Sequence, residues 1–237
     1  MKKLYLLIGV LLLPAAAGSA VSLWDSILLA AGASGGFTVE NISLLSGIIA
    51  FSLCWTLMPV PVRTYVLAHE LTHAMWGVIF GAKASDIRVS ERGGSVRLTK
   101  SNMLITLAPY FFPFYTFVVI VSALVTYAFM RPLPFLPLWL FLIGFTWAFH
   151  VLFTVDTLRL KQQDIVSYGK LFSWVFILLA NIFVVQLWLV FTTPLTFQQL
   201  AASFADRSVQ SYRFAWHAIF KTVGSITIFV KSCFQTC

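Results

Sequence analysis

The chain has 237 residues, of which 59% are hydrophobic and 16% aromatic while only 10% are charged, and its mean hydropathy is +0.90. A soluble domain carries about 25% charged residues, so an ordinary water-facing surface is excluded. The formal net charge of +8 does not mark a nucleic-acid partner, because the basic residues sit between apolar runs, where they set membrane topology.

Those runs are long enough to cross a hydrocarbon core, which takes about 20 helical residues. They are apolar on all sides, which favours helices over the alternating strands of a barrel. The expected fold is an all-α polytopic membrane protein of about six transmembrane helices, with one short β-hairpin between the third and fourth. The lipid bilayer is therefore a partner, and a bacterial-type inner or plasma membrane is the expected location.

In chain order, Met1 to Ala20 opens with Lys2 and Lys3 and ends in small residues, a pattern that fits either a signal peptide or a first span. Gly32 to Gly36 reads as a loop, Ile42 to Met58 as the second span, and Val62 to Phe80 as a third helix after Pro59-Val60-Pro61. The one polar stretch, Gly81 to Asn102, alternates Ile87 and Val89 with polar residues, and so do Val96 and Leu98 after Arg92-Gly93-Gly94. This alternation around a glycine turn predicts a hairpin. Met103 to Phe129, Leu136 to Leu160 and Ile165 to Phe191 are the fourth, fifth and sixth spans; Phe214 to Val230, interrupted by His217 and Lys221, reads as interfacial. The chain thus divides into N-terminal transmembrane segments (1–58), a transmembrane core (59–192) and a C-terminal amphipathic or membrane-associated segment (193–237). Lys83, Arg88, Arg92, Arg97 and Lys100 near the hairpin, with Arg159, Lys161 and Lys170, put that face in the cytoplasm. Cys54, Cys233 and Cys237 form no recognisable framework.

Chemistry concentrates in His69-Glu70-Leu71-Thr72-His73. Histidines four apart share one helix face and reach a single tetrahedral zinc, while the intervening Glu70 reaches a water on the metal. Zinc brings the pKa of that water toward neutrality, and Glu70 can take its proton and pass it to a leaving amine. Ionisable groups inside a span are costly and usually functional.

The two histidines need a further ligand. Asp86 and Glu91 belong to the hairpin, and Asp25, Glu40 and Asp206 lie in or near loops of the opposite face. Asp156 and Asp164 remain. If the fifth helix continues, His150, Thr154, Thr157, Lys161 and Asp164 make one polar stripe from which Asp156 points away. Asp164 is therefore favoured, with Asp156 as the alternative. His150 reads equally as a core histidine or as a group that orients or polarises substrate. Asn181 and Gln186 read as hydrogen-bonding glue between helices.

The motif, the turn at Gly81, the hairpin with Gly93-Gly94, the helix bearing Leu107-Ala108-Pro109 and the distal acid resemble the site-2 protease (M50) family of intramembrane metallopeptidases, over roughly Pro59 to Phe191. That resemblance implies zinc on His69, His73 and Asp164, water activation by Glu70, and a membrane-embedded or membrane-adjacent protein as substrate. The family's distal Asn-Pro and Asp-Gly sequence is absent; the segments from Phe149-His150 to Asp156 and from Lys161 to Ile165 stand in its place. No PDZ or CBS module is recognisable, so a bare catalytic core is expected. The expected function is a zinc-dependent intramembrane endopeptidase. A non-catalytic membrane scaffold and a small metal or proton transporter are the alternatives, the latter disfavoured by the lack of an internal repeat.

Overall fold

In the computed structural model, which describes residues 2–33, 38–160 and 162–235, the apolar runs are helices and the polar stretch is the hairpin. The elements are α1 (Lys2–Ala33), α2 (Val39–Leu57), α3 (Val62–Ile79), β1 (Ala84–Ser90), β2 (Gly93–Leu98), α4 (Met103–Leu107), a 3-10 turn (Ala108–Tyr110), α5 (Phe114–Phe129), α6 (Leu136–Arg159), α7 (Gln163–Tyr168), α8 (Lys170–Thr192) and α9 (Phe197–Gln235).

Among the described residues four helices are long and apolar enough to cross a membrane: Lys2–Gly32, Val39–Leu57, Leu136–Arg159 and Lys170–Val190. A fifth crossing exists only if Met103–Tyr110 and Phe114–Phe129, bent by 83°, count as one. By length and composition, four or five of the about six expected spans are thus present among the described residues. Helix α3 is not among them, since Arg63, His69, Glu70 and His73 dilute its apolar character. The expected fourth span is broken because Pro109 and Pro113 each lack the N–H that would continue a helix. The expected sixth span is likewise interrupted: Gly169, at φ 88°, separates α7 from α8, a backbone angle that glycine adopts without penalty. Helix α1 runs unbroken through Pro14 to Ala33, so Gly32 is helical. Residues 34–36 of the expected loop, and Lys161 of the expected polar stripe, lie outside the described residues, as does Cys237.

Two compact units partition the chain, residues 34–177 and residues 1–33 with 178–237. In the first, α2 packs on α6 around Phe51, Ala148, Phe149 and Phe153, with Trp55, Tyr65 and Phe145 against them. Gly47 meets the Phe141 carbonyl and Gly144 meets the Leu44 carbonyl. The two backbones touch where neither glycine has a side chain, the means by which apolar helices gain contact when lipid is as apolar as the partner. Strands β1 and β2 are antiparallel, pairing Ala84 with Leu98 and Ser90 with Gly93 across a bulge between Ser85 and Arg88. Gly93 and Gly94 therefore belong to β2; the reversal is made at Glu91-Arg92.

In the second unit α1 packs along α9. Ser19, Ser22 and Ser26 are fully buried. Gln186 Nε2 donates to Ser22 Oγ at 3.2 Å, and Ser22 donates to Ser203 Oγ at 3.0 Å. Gln186 is thus interhelical glue. Asp25 is a helical residue rather than a loop one: its carboxylate accepts from Arg207 Nε at 2.7 Å. A polar seam of this kind satisfies groups that lipid cannot.

Candidate metal centre

Helix α3 starts beyond Pro61, whose carbonyl accepts from Tyr65 N at 3.2 Å. Its side chains divide by helical position. Val66, Glu70 and Gly77 meet the hairpin, where Leu98 lies on Gly77 and Gly94 on Val66 and Glu70. Tyr65, Ala68 and Thr72 line a small cavity with Pro109, Phe149 and His150. Between those two faces stand His69 and His73.

Both imidazoles turn Nε2 inward, 3.2 Å apart. His73 Nδ1 donates to the Ile105 carbonyl at 2.9 Å, and the Tyr65 hydroxyl is 3.3 Å from His69 Nδ1. The Ile105 carbonyl is available for a local reason: its donor in a continuing helix would be the N–H of residue 109, and that residue is proline. Asn102 caps the short helix, its Oδ1 accepting from Ile105 N at 2.9 Å, and so holds the carbonyl in place.

Asp164 completes the group. Its Oδ2 lies 3.4 Å from Nε2 of His69 and 3.4 Å from Nε2 of His73. Tyr110, fully buried, donates to the same oxygen at 3.1 Å and its ring stands perpendicular to that of His69. Burial pushes the Asp164 carboxyl up, but hydrogen bonds from His69 and His73 and their charge outweigh it and hold it well below the usual carboxylate range.

These three side chains are the cluster able to hold a metal ion among the described residues. Their donor set is two imidazole nitrogens and a carboxylate oxygen, the ligand chemistry of a borderline cation such as zinc. The spacing agrees. Tetrahedral ligands at about 2.0–2.1 Å from an ion are separated by about 3.3 Å, and the observed edges are 3.2, 3.4 and 3.4 Å. His73 keeps its Nδ1 proton on the Ile105 carbonyl, so loss of the Nε2 proton that it offers to Asp164 would leave a lone pair there for a cation.

The favoured Asp164 is thus beside the histidines, but not by the expected route. Helix α6 stops at Arg159, and Leu160 is extended with φ −85° and ψ 161°. The chain turns there, and Asp164 enters from the first turn of α7. Asp156 is exposed on α6 and is not part of the group. His150, Thr154 and Thr157 do share a buried face of α6, and His150 lines the cavity that His69 also lines. Glu70 is 6% exposed. Two contributors were missed in the sequence, Tyr110 and the Ile105 carbonyl. Pro109 was the available signal for the second, since a proline four residues on leaves a carbonyl without its helical partner.

No protein-family model matches the chain, and no curated protein or solved structure matches it.

Proposed function

We propose that this chain is a zinc-dependent endopeptidase of the membrane, cutting membrane-embedded or membrane-adjacent proteins. The observation that carries the reading is the triangle of His69 Nε2, His73 Nε2 and Asp164 Oδ2, with edges that suit one face of a zinc tetrahedron. Three protein ligands leave the fourth position for water or substrate, as a catalytic site requires. A zinc ion held by His69, His73 and Asp164 would supply Lewis acidity and would make a nearby water acidic enough to lose a proton near neutral pH. Glu70, next to a ligand without belonging to the triangle, accepts that proton and returns it to the leaving amine. His73 and Asp164 are held by Ile105 and Tyr110, so neither has to reorganise.

The surroundings support the same reading. A peptide bond must leave its helix before it can be attacked, because helical backbone hides its carbonyls. A two-stranded hairpin beside Glu70 offers edges to which an unwound segment can add. The bend between α4 and α5 interrupts the wall of apolar helix beside the site.

The test is Glu70→Gln in the purified full chain. Zinc stoichiometry should be unchanged, while cleavage of a quenched fluorogenic single-span peptide falls by roughly a hundredfold or more. Undiminished cleavage sinks the mechanism. A wild-type protein that holds no zinc returns the chain to a scaffold; metal flux into liposomes without cleavage makes it a transporter.

A further inference from the structure

Neighbouring glycines in β2 differ in why they are glycine. Gly93 has φ 134° and open space around it; its backbone angle is the constraint. Gly94 has no positive φ, so any residue suits its backbone. What it lacks is room. A Cβ on Gly94 would lie 2.8 Å from Glu70 Oε1, 2.7 Å from Glu70 Cγ and 2.6 Å from Val66 Cγ1. The strand backbone therefore rests directly on the carboxylate-bearing arm of Glu70.

The rest of the hairpin contrasts with this contact. Strand β1 is exposed from Ser85 to Ser90, and Ser95 and Arg97 of β2 face outward. At the turn, Arg63 and Glu91 pair at 3.2 Å but are 72% and 70% exposed, a pair worth little in water. Leu98, against Gly77, and Gly94, against Val66 and Glu70, are two points where β2 rests on α3. One of the two falls on the residue proposed as the base, and that residue is 6% exposed.

We propose that Gly94 is a positioning residue for Glu70: by having no side chain, it lets β2 close over the carboxylate, fix its rotamer and keep bulk water from that side. The proposal rests on the hydrolase reading for its consequence in catalysis, but not for the contact itself. Any side chain at 94 has to displace the strand or the Val66 and Glu70 side chains beneath it. The strand is tied at Leu98 and by its pairing to Val89, whereas Glu70 has free side-chain torsions, so Glu70 moves. A base held within hydrogen-bond reach loses its effect when displaced by about an ångström.

The experiment uses the full chain in nanodiscs with two readouts. A hydrophobic carbodiimide, with peptide mass spectrometry, reports how fast the Glu70 carboxyl is modified. Gly94→Ala should raise that rate several-fold, and Ser95→Ala on the outward face should leave it unchanged. Cleavage of the fluorogenic single-span peptide reports catalysis: Gly94→Ala should lower kcat by roughly tenfold to a hundredfold, with KM and zinc affinity near wild type. In a Glu70→Gln background it should lower the residual rate no further, an outcome that general destabilisation would not give. If Gly94→Ala folds poorly, Val66→Ala added to it removes one of the three contacts and leaves both to Glu70, so the raised labelling should persist in a stable protein. Unchanged labelling, or loss of zinc in step with loss of activity, overturns the proposal. Raised labelling in a protein whose wild type never cleaves would overturn the hydrolase reading and leave the contact between Gly94 and Glu70 standing.

Discussion

His73 Nδ1 donates to the Ile105 carbonyl at 2.9 Å, and that carbonyl is unclaimed by its own helix because residue 109 is proline. One missing N–H thereby fixes the tautomer of a histidine 36 positions earlier in the chain. Partners of this sort commonly govern metal affinity by 10–100-fold. Pro109→Ala restores the competing donor, and we expect zinc affinity to fall by roughly tenfold in a competitive chelator titration. An unchanged affinity would show that His73 is oriented by something other than Ile105.

Loss of the carboxylate should be more severe. Asp164→Ala leaves two imidazoles without the negative charge that completes the set, so zinc and activity should disappear together. Asp156→Ala, on the exposed side of α6, should keep the metal. Zinc titrations on both variants decide this, and metal loss in Asp156→Ala alone would refute the ligand set.

The contact between α2 and α6 makes a prediction about stability alone. A side chain at residue 144 would meet the Leu44 carbonyl, and one at residue 47 the Phe141 carbonyl. Because backbone cannot step aside as a side chain can, Gly144→Val should cost about 1–3 kcal/mol, read as a lower midpoint of thermal unfolding in detergent. A midpoint equal to wild type would mean that the helices do not meet there.

Orientation is tested at the hairpin. Ser95 is exposed on β2, within the stretch that carries Lys83, Arg88, Arg92, Arg97 and Lys100. By the positive-inside rule, a cysteine at this position should react with an impermeant thiol reagent only after the cytoplasmic side is opened. Reaction in intact cells would place the hairpin on the opposite face.

The structure departs from the expected outline for local reasons in two places and for a non-local reason in a third. Within 103–129, Pro109 and Pro113 turn the chain through an 83° bend. Residues 62–80 form the expected helix, but with Arg63, His69, Glu70 and His73 they fall short of the apolarity of the four candidate spans. Asp25 was placed near a loop because its partner Arg207 lies 182 residues away, a separation at which no local pattern speaks.

Legible in the residue order were helices long and apolar enough to cross a membrane, the hairpin, and the pairing of His69 with His73. All of these follow from short-range rules: hydropathy over a window, alternation over a strand, and the four-residue repeat of a helix face. The third member of the triangle was decided only by tertiary structure. A polar stripe continued along α6 favours Asp164, yet α6 ends at Arg159 and the extended Leu160 redirects the chain. Asp164, Tyr110 and the Ile105 carbonyl meet the histidines from three separate elements, and their meeting depends on where each element stops. Helix ends are set by competition between local caps and packing against distant residues, so they could not be read from the chain alone.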